Sequence, residues 1–207
     1  LLQGSPPLEL HVDPAARPTA VHTPGVVPLH WQQAVLDGLN RDVRLGVLER
    51  VPVNTPVKWQ SRMVVTAKAN GDPRRTVDFQ AVNACSPRQT HHTQSPWHLV
   101  SSIPEGVVKT TFDCWHGYHS LKLASEEDKD ATTFITPWGR FRDLTCPQGF
   151  LSAGDAYTDR LDRLLADFER QKRCIDDTLL YDTTIESAFK RACDFLDKCG
   201  ENGVILN

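Results

Sequence analysis

The sequence predicts an α+β fold, and three observations carry this prediction. Asn70-Gly71 stands between two strand-like segments, 63–66 and 75–79. This pattern is typical of a β-hairpin, because Asn-Gly readily adopts the positive φ that a tight hairpin turn needs. Long helices are predicted near 151–170 and 184–199, the second from apolar residues at helical spacing. Because short strand-like runs are interspersed with these helices, both kinds of element should share one fold.

The N-terminal part divides into an arm and a helix. Residues 1–27 are predicted to be an extended arm, because prolines are frequent there and apolar periodicity is weak. Pro28 is expected to open the first helix as a first-turn proline, and Gly46 to stop it. The apolar face of this helix consists of Trp31, Val35, Leu39 and Val43.

Shorter elements are expected between the Asn70-Gly71 hairpin and the helix near 151–170. They are, in chain order, a helix near 96–103, a strand ending at Asp113, a strand over 118–123, a helix with a capping box from Ser125 to Asp128, and a hairpin of 132–136 with 140–145.

The C-terminal helix is expected to bury one apolar face and to end at Gly200. That face consists of Ile185, Phe189, Cys193 and Leu196. A last strand over 203–207 is expected to continue past the end of the sequence.

Composition indicates a folded chain whose thiols are reduced and intracellular. The chain has 207 residues, of which 40% are hydrophobic, and no run long enough to span a bilayer. Its start has neither a signal-peptide pattern nor Met, which suggests a piece of a longer polyprotein. The six cysteines include no C-x-x-C pair. A metal site at His91-His92 is conceivable, but a loop before the helix near Pro96 is the better interpretation.

The net charge of −3 argues against strong nucleic-acid binding, because affinity for the phosphate backbone comes from Lys and Arg. The charge is unevenly distributed, since segment 54–80 carries five basic residues against two acidic ones. The sequence therefore predicts only weak binding to nucleic acid by residues 1–207 alone.

Three carboxylates stand at the predicted ends of strands. Asp176 and Asp177 lie between apolar runs and are expected at the tip of a hairpin, and Asp113 ends another strand. A solvated Asp-Asp turn is the alternative for the pair by itself. Together the three could hold two Mg²⁺ ions, which prefer oxygen ligands and take substrate phosphates as the remaining ones.

Four motifs occur in an order that resembles reverse transcriptases. They are Thr-Val-Asp-Phe at 76–79, Phe-Asp-x-x-x-Gly-Tyr at 112–118, Pro-Gln-Gly-Phe at 147–150 and x-Ile-Asp-Asp at 174–177. The resemblance is to the pol polyprotein of gypsy-type long-terminal-repeat retrotransposons and runs from about Pro28 to Asn207. Cys174 departs from the pattern, because the family usually has an aromatic residue there.

This resemblance implies a right-hand polymerase fold, with an antiparallel palm sheet packed on helices. Residues 28–207 would form the reverse transcriptase domain. Its fingers would be 28–87 and 122–151, and its palm 88–121 and 152–207. The thumb, connection and ribonuclease H regions would lie beyond Asn207, so the fragment alone is expected to bind primer-template weakly and to polymerise poorly.

The resemblance also implies roles for individual residues. Asp113, Asp176 and Asp177 would be the catalytic ligands of two Mg²⁺ ions, with Mn²⁺ as a substitute, and the Cys114 carbonyl would be a further ligand. The residues that bind the deoxynucleoside triphosphate would be Lys68, Arg74, Cys114, Tyr118 and Gln148. Tyr118 would exclude a ribose 2′-hydroxyl, the group that distinguishes RNA from DNA building blocks.

The expected function is RNA-directed DNA polymerase, which adds deoxynucleotides to a primer 3′-hydroxyl on an RNA or DNA template. Two alternatives remain: a domesticated remnant that acts as an interaction module, and a Mg²⁺-dependent phosphohydrolase. Among the tryptophans, Trp97 and Trp115 are expected in the core, whereas Trp59 and Trp138 stay open as surfaces on which bases could stack.

Overall fold

A computed structural model describes residues 1–92, 95–115 and 117–207. The chain divides into two compact units. Unit 1 comprises Leu1–Pro6, Gln89–Leu121 and Gly154–Asn207, and unit 2 comprises Pro7–Arg88 and Lys122–Ala153. Both units contain helices and a sheet, which confirms the α+β prediction.

The helices and strands follow one another in mixed order. They are α1 (Gln32–Arg44), β1 (Leu48–Val51), β2 (Ser61–Ala67), β3 (Pro73–Asp78), α2 (Gln80–Asn83), α3 (Pro96–Ser101), β4 (Val108–Asp113), α4 (Glu126–Ala131), β5 (Phe134–Thr136), β6 (Gly139–Asp143), α5 (Ala153–Leu164), β7 (Gln171–Cys174), β8 (Asp177–Asp182) and α6 (Ile185–Glu201). Short 3₁₀ turns lie at Leu29–Trp31 and Gly117–Ser120. In the described residues, no helix has the length and apolar character needed to cross a membrane.

Unit 2 is built on a five-stranded sheet with the order β1-β6-β5-β2-β3. Only the β2–β5 pair is parallel. Helix α1 packs on this sheet, because its four-residue apolar spacing presents Val35 and Leu39 to the strands. The buried core cluster consists of Val27, Val35, Leu39, Leu48, Met63, Phe134 and Phe141.

Three local predictions in unit 2 are confirmed. β2 and β3 pair antiparallel, and Gly71 in their connection has φ +86°. β5 and β6 pair across Pro137-Trp138, and Gly139 has φ +111°. Ser125 and Asp128 form the capping box of α4. In each case the local residue chemistry alone specifies the backbone.

Unit 1 is built on a three-stranded antiparallel sheet with the order β4-β8-β7. Helix α6 packs on β4 and β8. The packing is aromatic: the ring of Phe195 on α6 lies 5.0 Å from that of Phe112 and 5.7 Å from that of Phe168. Leu161, Leu165 and Leu180 are also buried in this unit.

Residues 1–27 form only isolated bridges, Leu8 with Leu123 and Ala20 with Gln60. Leu8, Leu10 and Val27 are nevertheless buried in unit 2. The segment is therefore held by its apolar side chains without regular secondary structure.

Several predicted elements differ from the structure. The strand expected over 118–123 is wrong, because Gly117–Ser120 forms a 3₁₀ turn in which the Ser120 hydroxyl donates to the Gly117 carbonyl. Helix α5 ends at Leu164, short of 170, and 203–207 forms only the bridge Cys114–Leu206. Pro28 precedes α1 in an extended conformation. The elements β1 and α2 were not predicted.

The predicted buried face of α6 is also wrong. Ile185, Phe189 and Leu196 are exposed, whereas Ala188, Phe195 and Cys199 are buried. The helix carries two apolar stripes, so periodicity alone does not choose between them. The sheet of unit 1 packs against the stripe that contains Phe195.

Candidate metal centre

The pairing of β4 with β8 places Asp113 directly opposite Asp177. The Cys114 N–H donates to the Asp176 carbonyl at 3.0 Å, which ties the residue after β4 to the turn before β8. The structure therefore brings together Asp113, Asp176 and Asp177 at one end of the sheet of unit 1. β8 is anchored at its other end, where Asp182 accepts hydrogen bonds from the Thr183 N–H and the Arg191 Nε, both at 2.8 Å.

The turn between β7 and β8 is two residues long. Cys174 pairs with Asp177, so only Ile175 and Asp176 lie in the turn. Ile175 has φ +56°, a left-handed conformation that is costly for a β-branched residue. Asp176 thus occupies the turn itself, and Asp177 begins β8.

The surroundings of Asp176 disfavour the charged form of its carboxyl group. Partial burial raises its pKa, and the neighbouring carboxylates of Asp113 and Asp177 raise it further. Its Oδ1 is buried and has no hydrogen-bond partner in the described part of the chain. Asp113 and Asp177 are exposed. A cation would relieve this repulsion, and carboxylate oxygens are ligands that Mg²⁺ and Mn²⁺ accept.

The protein does not provide a complete metal cage by itself. Within 1–92, 95–115 and 117–207, no three His, Cys, Asp or Glu side chains are grouped so that they could hold a metal ion. A cation at this end of the sheet would therefore need oxygen atoms from a substrate or water, which is usual for Mg²⁺.

The last residues of the chain brace Asp113. The Asn207 N–H donates to the Asp113 carbonyl at 2.8 Å, and the Asn207 side-chain amide donates to Asp113 Oδ2 at 3.3 Å. The Trp115 N–H donates to the Ile205 carbonyl at 2.9 Å. The sequence analysis missed this role of Asn207, and only the expected strand over 203–207 pointed to it.

Cys114 contributes its backbone N–H to the group. The thiol is buried, and burial raises its pKa, although a hydrogen bond with Tyr157 lowers it. Gly117 lies against the same tyrosine. A Cβ added to Gly117 would stand 2.5 Å from the Tyr157 ring, so a larger residue would clash there. Cys174, at the position that is usually aromatic in the family, is half-buried in β7.

Tyr118 lies in unit 1, in the 3₁₀ turn that follows the Asp113 strand. Its ring meets Tyr157 edge to face, with 5.8 Å between ring centroids. Its hydroxyl lies 3.7 Å from the position of a Cβ on Gly154. The side chain is half-buried against α5, so it is held in one place with part of the ring exposed.

The other predicted substrate residues belong to unit 2. Lys68 is exposed and lies in the connection just after β2. Arg74 is exposed on β3 opposite Thr66. Arg75 points to the opposite face, where it forms an ion pair with the buried Asp42.

Gln148 lies in a turn of unit 2 that is held by Asn83. The Asn83 side chain donates to the Gly149 carbonyl at 2.9 Å and accepts from the Leu151 N–H at 3.0 Å. Gly149 has φ +95°, which the turn requires. The sequence analysis missed Asn83, because nothing in the local pattern connects it with a turn 65 residues later.

The histidine and tryptophan predictions have mixed outcomes. The His91 ring bonds Asp162 of α5 at 2.8 Å, and no metal group includes it in the described residues. The loop expected before Pro96 includes Thr93 and Gln94, which lie outside the described residues. Trp97 is 79% exposed and Trp115 is 41% exposed, so the core prediction for both is wrong. Trp59, which the sequence left open as a surface for base stacking, is buried.

Comparison with known proteins identifies Pol polyproteins as relatives. The chain is 26% identical over 187 residues to the retrovirus-related Pol polyprotein from transposon gypsy of Drosophila melanogaster, covering 89% of this chain and 17% of that protein. It is 26% identical over 181 residues to the Pro-Pol polyprotein of feline foamy virus, covering 86% and 14%. It is 24% identical over 143 residues to the enzymatic polyprotein of cauliflower mosaic virus, strain D/H, covering 68% and 21%. The chain therefore spans about a fifth or less of these relatives, and no family model matches it.

Two solved structures of the foamy viral protease-reverse transcriptase have the same fold as this chain. One is the dRH form in complex with double-stranded DNA, with a TM-score of 0.86 and 18% identity over 99% of this chain and 35% of that one. The other is in complex with an RNA/DNA hybrid, with a TM-score of 0.85 and 18% identity over 99% and 27%. The resemblance to gypsy-type Pol polyproteins, predicted from four motifs, is confirmed.

Proposed function

We propose that the chain is the fingers and palm of a reverse transcriptase, which adds deoxynucleotides to a primer 3′-hydroxyl. The observation that carries the proposal is the register of β4 and β8, which sets Asp113 opposite Asp177 with Asp176 in the adjoining turn. The Pol relatives support it, as do solved foamy viral structures of the same fold that hold DNA or an RNA/DNA hybrid.

In this proposal, unit 1 is the palm and unit 2 is the fingers. The palm would comprise 88–121 and 152–207, and the fingers 28–87 and 122–151, after an arm of 1–27. The boundaries of the two compact units lie close to these ranges. Partners of the whole protein would be a primed RNA or DNA template, deoxynucleoside triphosphates and the remaining regions of a Pol polyprotein.

The proposed cofactor is a pair of Mg²⁺ ions, for which Mn²⁺ can substitute. Asp113 and Asp176 would bind both ions, and Asp177 and the Cys114 carbonyl would support them. When bound, such ions would supply positive charge that stabilises the charge developing in phosphoryl transfer. The buried Oδ1 of Asp176 is suited to this role, because without a partner it has a desolvated lone pair available for a ligand.

The protein's own contribution is to hold the carboxylates in place before substrate arrives. Three contacts do this: the pairing of β4 with β8, the hydrogen bond from Cys114 to the Asp176 carbonyl, and the bond from Asn207 to Asp113. Holding like charges in a fixed arrangement lowers the stability of the fold. Because the carboxylates are already in place, no further free energy would be needed to bring them together when the metal and the triphosphate bind.

Four residues with roles implied by the resemblance would make the substrate contacts, namely Lys68, Arg74, Tyr118 and Gln148. Lys68 and Arg74 would bind the triphosphate, since Arg suits bidentate phosphate binding and Lys supplies a compact charge. Both are exposed in the β2–β3 hairpin. Tyr118 would lie under the sugar and exclude a 2′-hydroxyl, and Gln148 would contact the incoming nucleotide.

Metal-dependent primer extension tests the proposal. The protein would be given a primed RNA template, deoxynucleoside triphosphates and Mg²⁺ or Mn²⁺, both as this chain alone and joined to any sequence that follows it in its gene. Asp176→Asn should abolish extension and leave template binding largely intact, because it removes charge stabilisation and no contact to the template. Glu105→Gln is the matched control, since it removes one exposed carboxylate in the loop before β4.

The outcomes separate the proposal from its rivals. Extension that depends on Asp176 and not on Glu105 supports a polymerase. Hydrolysis of nucleotides with no primer extension would instead identify a Mg²⁺-dependent phosphohydrolase. Template binding without any metal-dependent reaction in either form of the protein would identify a non-catalytic interaction module.

A further inference from the structure

The first three residues of the sequence pack inside unit 1 and join two parts of it. The Leu2 N–H donates to the Ser120 carbonyl at 3.1 Å, and the Gln3 N–H donates to the Asn202 carbonyl at 3.0 Å. The side chain of Leu2 is buried. These residues, Leu1–Gln3, are called the strap below. The strap therefore connects the 3₁₀ turn that follows β4 with the residues that follow α6.

The strap lies directly against the chain at Gly203. A Cβ added to Gly203 would stand 2.3 Å from the Leu1 carbonyl oxygen, so a larger residue would displace the strap. Gly203 also has φ +73°, a left-handed conformation that favours glycine after a helix. The next residue is fixed as well, because Val204 is buried and its N–H donates to the Cys199 carbonyl at 2.9 Å. The strap thus rests on a part of the chain with a defined backbone.

One end of the strap leads to Asp113. The strap holds Asn202, and a few residues later the chain bonds the end of β4. There the Ile205 carbonyl accepts from the Trp115 N–H at 2.9 Å. The N–H and the side-chain amide of Asn207 both donate to Asp113. Because the contacts of such a short segment open together, a bond that fixes its start also helps to hold its end on β4.

The other end of the strap leads to Tyr118. Ser120, whose carbonyl accepts from the Leu2 N–H, is the last residue of the 3₁₀ turn Gly117–Ser120. The turn is closed by the Leu121 N–H, which donates to the Tyr118 carbonyl at 3.1 Å. Such a short turn has few bonds of its own, so an external bond to its last residue contributes to its stability.

We propose that the strap positions both Asp113 and Tyr118, acting through the segments 202–207 and 117–120. Leu2 is then a positioning residue, since its buried side chain anchors the strap in unit 1. The roles of the two positioned residues rest on the proposed function, whereas the structural connection rests only on contacts within unit 1. Loss of the anchor should let both segments open locally while the sheet of unit 1 stays folded.

Amide hydrogen exchange of Leu2→Ala tests the structural connection without any need for activity. The amides of Trp115, Leu121 and Asn207 should exchange about tenfold faster than in the wild type, because local opening no longer has to break the strap contacts. Amides at the centre of β4 and β8 should stay protected. Leu10→Ala is the matched control, since Leu10 is also a buried leucine of the N-terminal arm but belongs to unit 2. It should leave the three amides unchanged.

A conservative variant separates anchoring from general loss of stability. Leu2→Met should restore slow exchange, because it keeps an apolar side chain of similar volume. Should Leu2→Ala fail to fold, Leu2→Val gives the same comparison with a smaller truncation. Unchanged exchange of the Trp115 and Asn207 amides would overturn the proposal. Faster exchange throughout unit 1 would also overturn it, because Leu2 would then support the whole unit and not these two segments.

Mn²⁺ affinity, measured with a deoxynucleoside triphosphate present, tests the consequence for the metal centre. Leu2→Ala should weaken binding about tenfold, as expected when support for a metal ligand is lost, and Leu2→Met and Leu10→Ala should bind like the wild type. Equal affinity of Leu2→Ala and a metal-binding wild type would overturn the positioning role. A wild type that binds no Mn²⁺ would count against the proposed function, and the exchange rates would still decide whether the strap holds the end of β4.

Discussion

Asp113, the last residue of β4, is the cross-strand partner of Asp177, the first residue of β8. The six residue pairs of this ladder set the two like charges directly opposite each other. Like charges opposite each other destabilise a sheet. The turn beside them adds a third carboxylate, Asp176, whose pKa is raised by burial and by both neighbours. The three carboxylates therefore repel one another at this end of the sheet.

The turn before Asp177 stores backbone strain at Ile175, and its removal should stabilise the protein. Ile175 has φ +56° and is 42% exposed. Ile175→Gly should increase the free energy of unfolding by about 1 kcal/mol, since the relief of a left-handed β-branched residue exceeds the entropic cost of glycine. Denaturant unfolding measures the change. Ile205→Gly, at an exposed residue with ordinary φ, should decrease it, and a decrease for both variants would show that Ile175 is not strained.

Asp143 should make the stability of the protein depend on pH. It is buried in unit 2, its Oδ2 has no partner in the described part of the chain, and burial raises its pKa to about 8. Arg75 lowers this pKa, but its effect is smaller than that of burial, and Asp42 raises the pKa further. The folded state therefore holds the proton more tightly than the unfolded state, so stability is greatest near pH 4 and is lost as pH increases to about 8.

Asp143→Asn tests this dependence by removing the titrating proton while keeping the shape of the side chain. At pH 8 the variant should be more stable than the wild type by on the order of 1–3 kcal/mol, with little difference near pH 4. Thermal unfolding at pH values from 4 to 8 measures both. Parallel curves for the two proteins would show that Asp143 is ionised in the folded state across this range.

Tyr118 should decide between ribonucleotides and deoxynucleotides if the proposed polymerase function is right. Its ring is fixed by Tyr157 and is partly exposed, so it can act as a rigid barrier. Tyr118→Ala should admit ribonucleotides with a much smaller penalty, and Tyr118→Phe should keep the discrimination, because the ring and not the hydroxyl does the excluding. Competitive incorporation measures the ratio. Unchanged discrimination in Tyr118→Ala would leave the residue with a packing role only.

Features that depend on a few neighbouring residues were predictable from the sequence. The Gly71 and Gly139 turns and the Ser125–Asp128 capping box are specified locally, because each needs a particular backbone angle or hydrogen bond. The order of the four motifs led to the same family as the Pol relatives. The strand ends that carry Asp113 and Asp177 also followed from alternation and turn residues.

Features that depend on distant contacts were not predictable. Asn83 holds a turn that is 65 residues away in the chain, and Asn207 contacts Asp113 across 94 residues. Phe189 and Phe195 lie on different apolar stripes of α6, and only packing on the sheet decides which one is buried. The segment 118–123 alternates like a strand, yet Gly117–Ser120 closes into a 3₁₀ turn.

Titration with Mn²⁺, followed by the paramagnetic signal of the free ion, addresses the carboxylate site without needing a complete polymerase. With a deoxynucleoside triphosphate present, the wild-type protein should bind Mn²⁺ and gain thermal stability. Asp176→Asn should lose most of both effects, and Glu105→Gln should keep them, because only Asp176 has the buried, unpartnered oxygen described above. Equal Mn²⁺ binding by wild type and Asp176→Asn would contradict a metal site at the β4–β8 end.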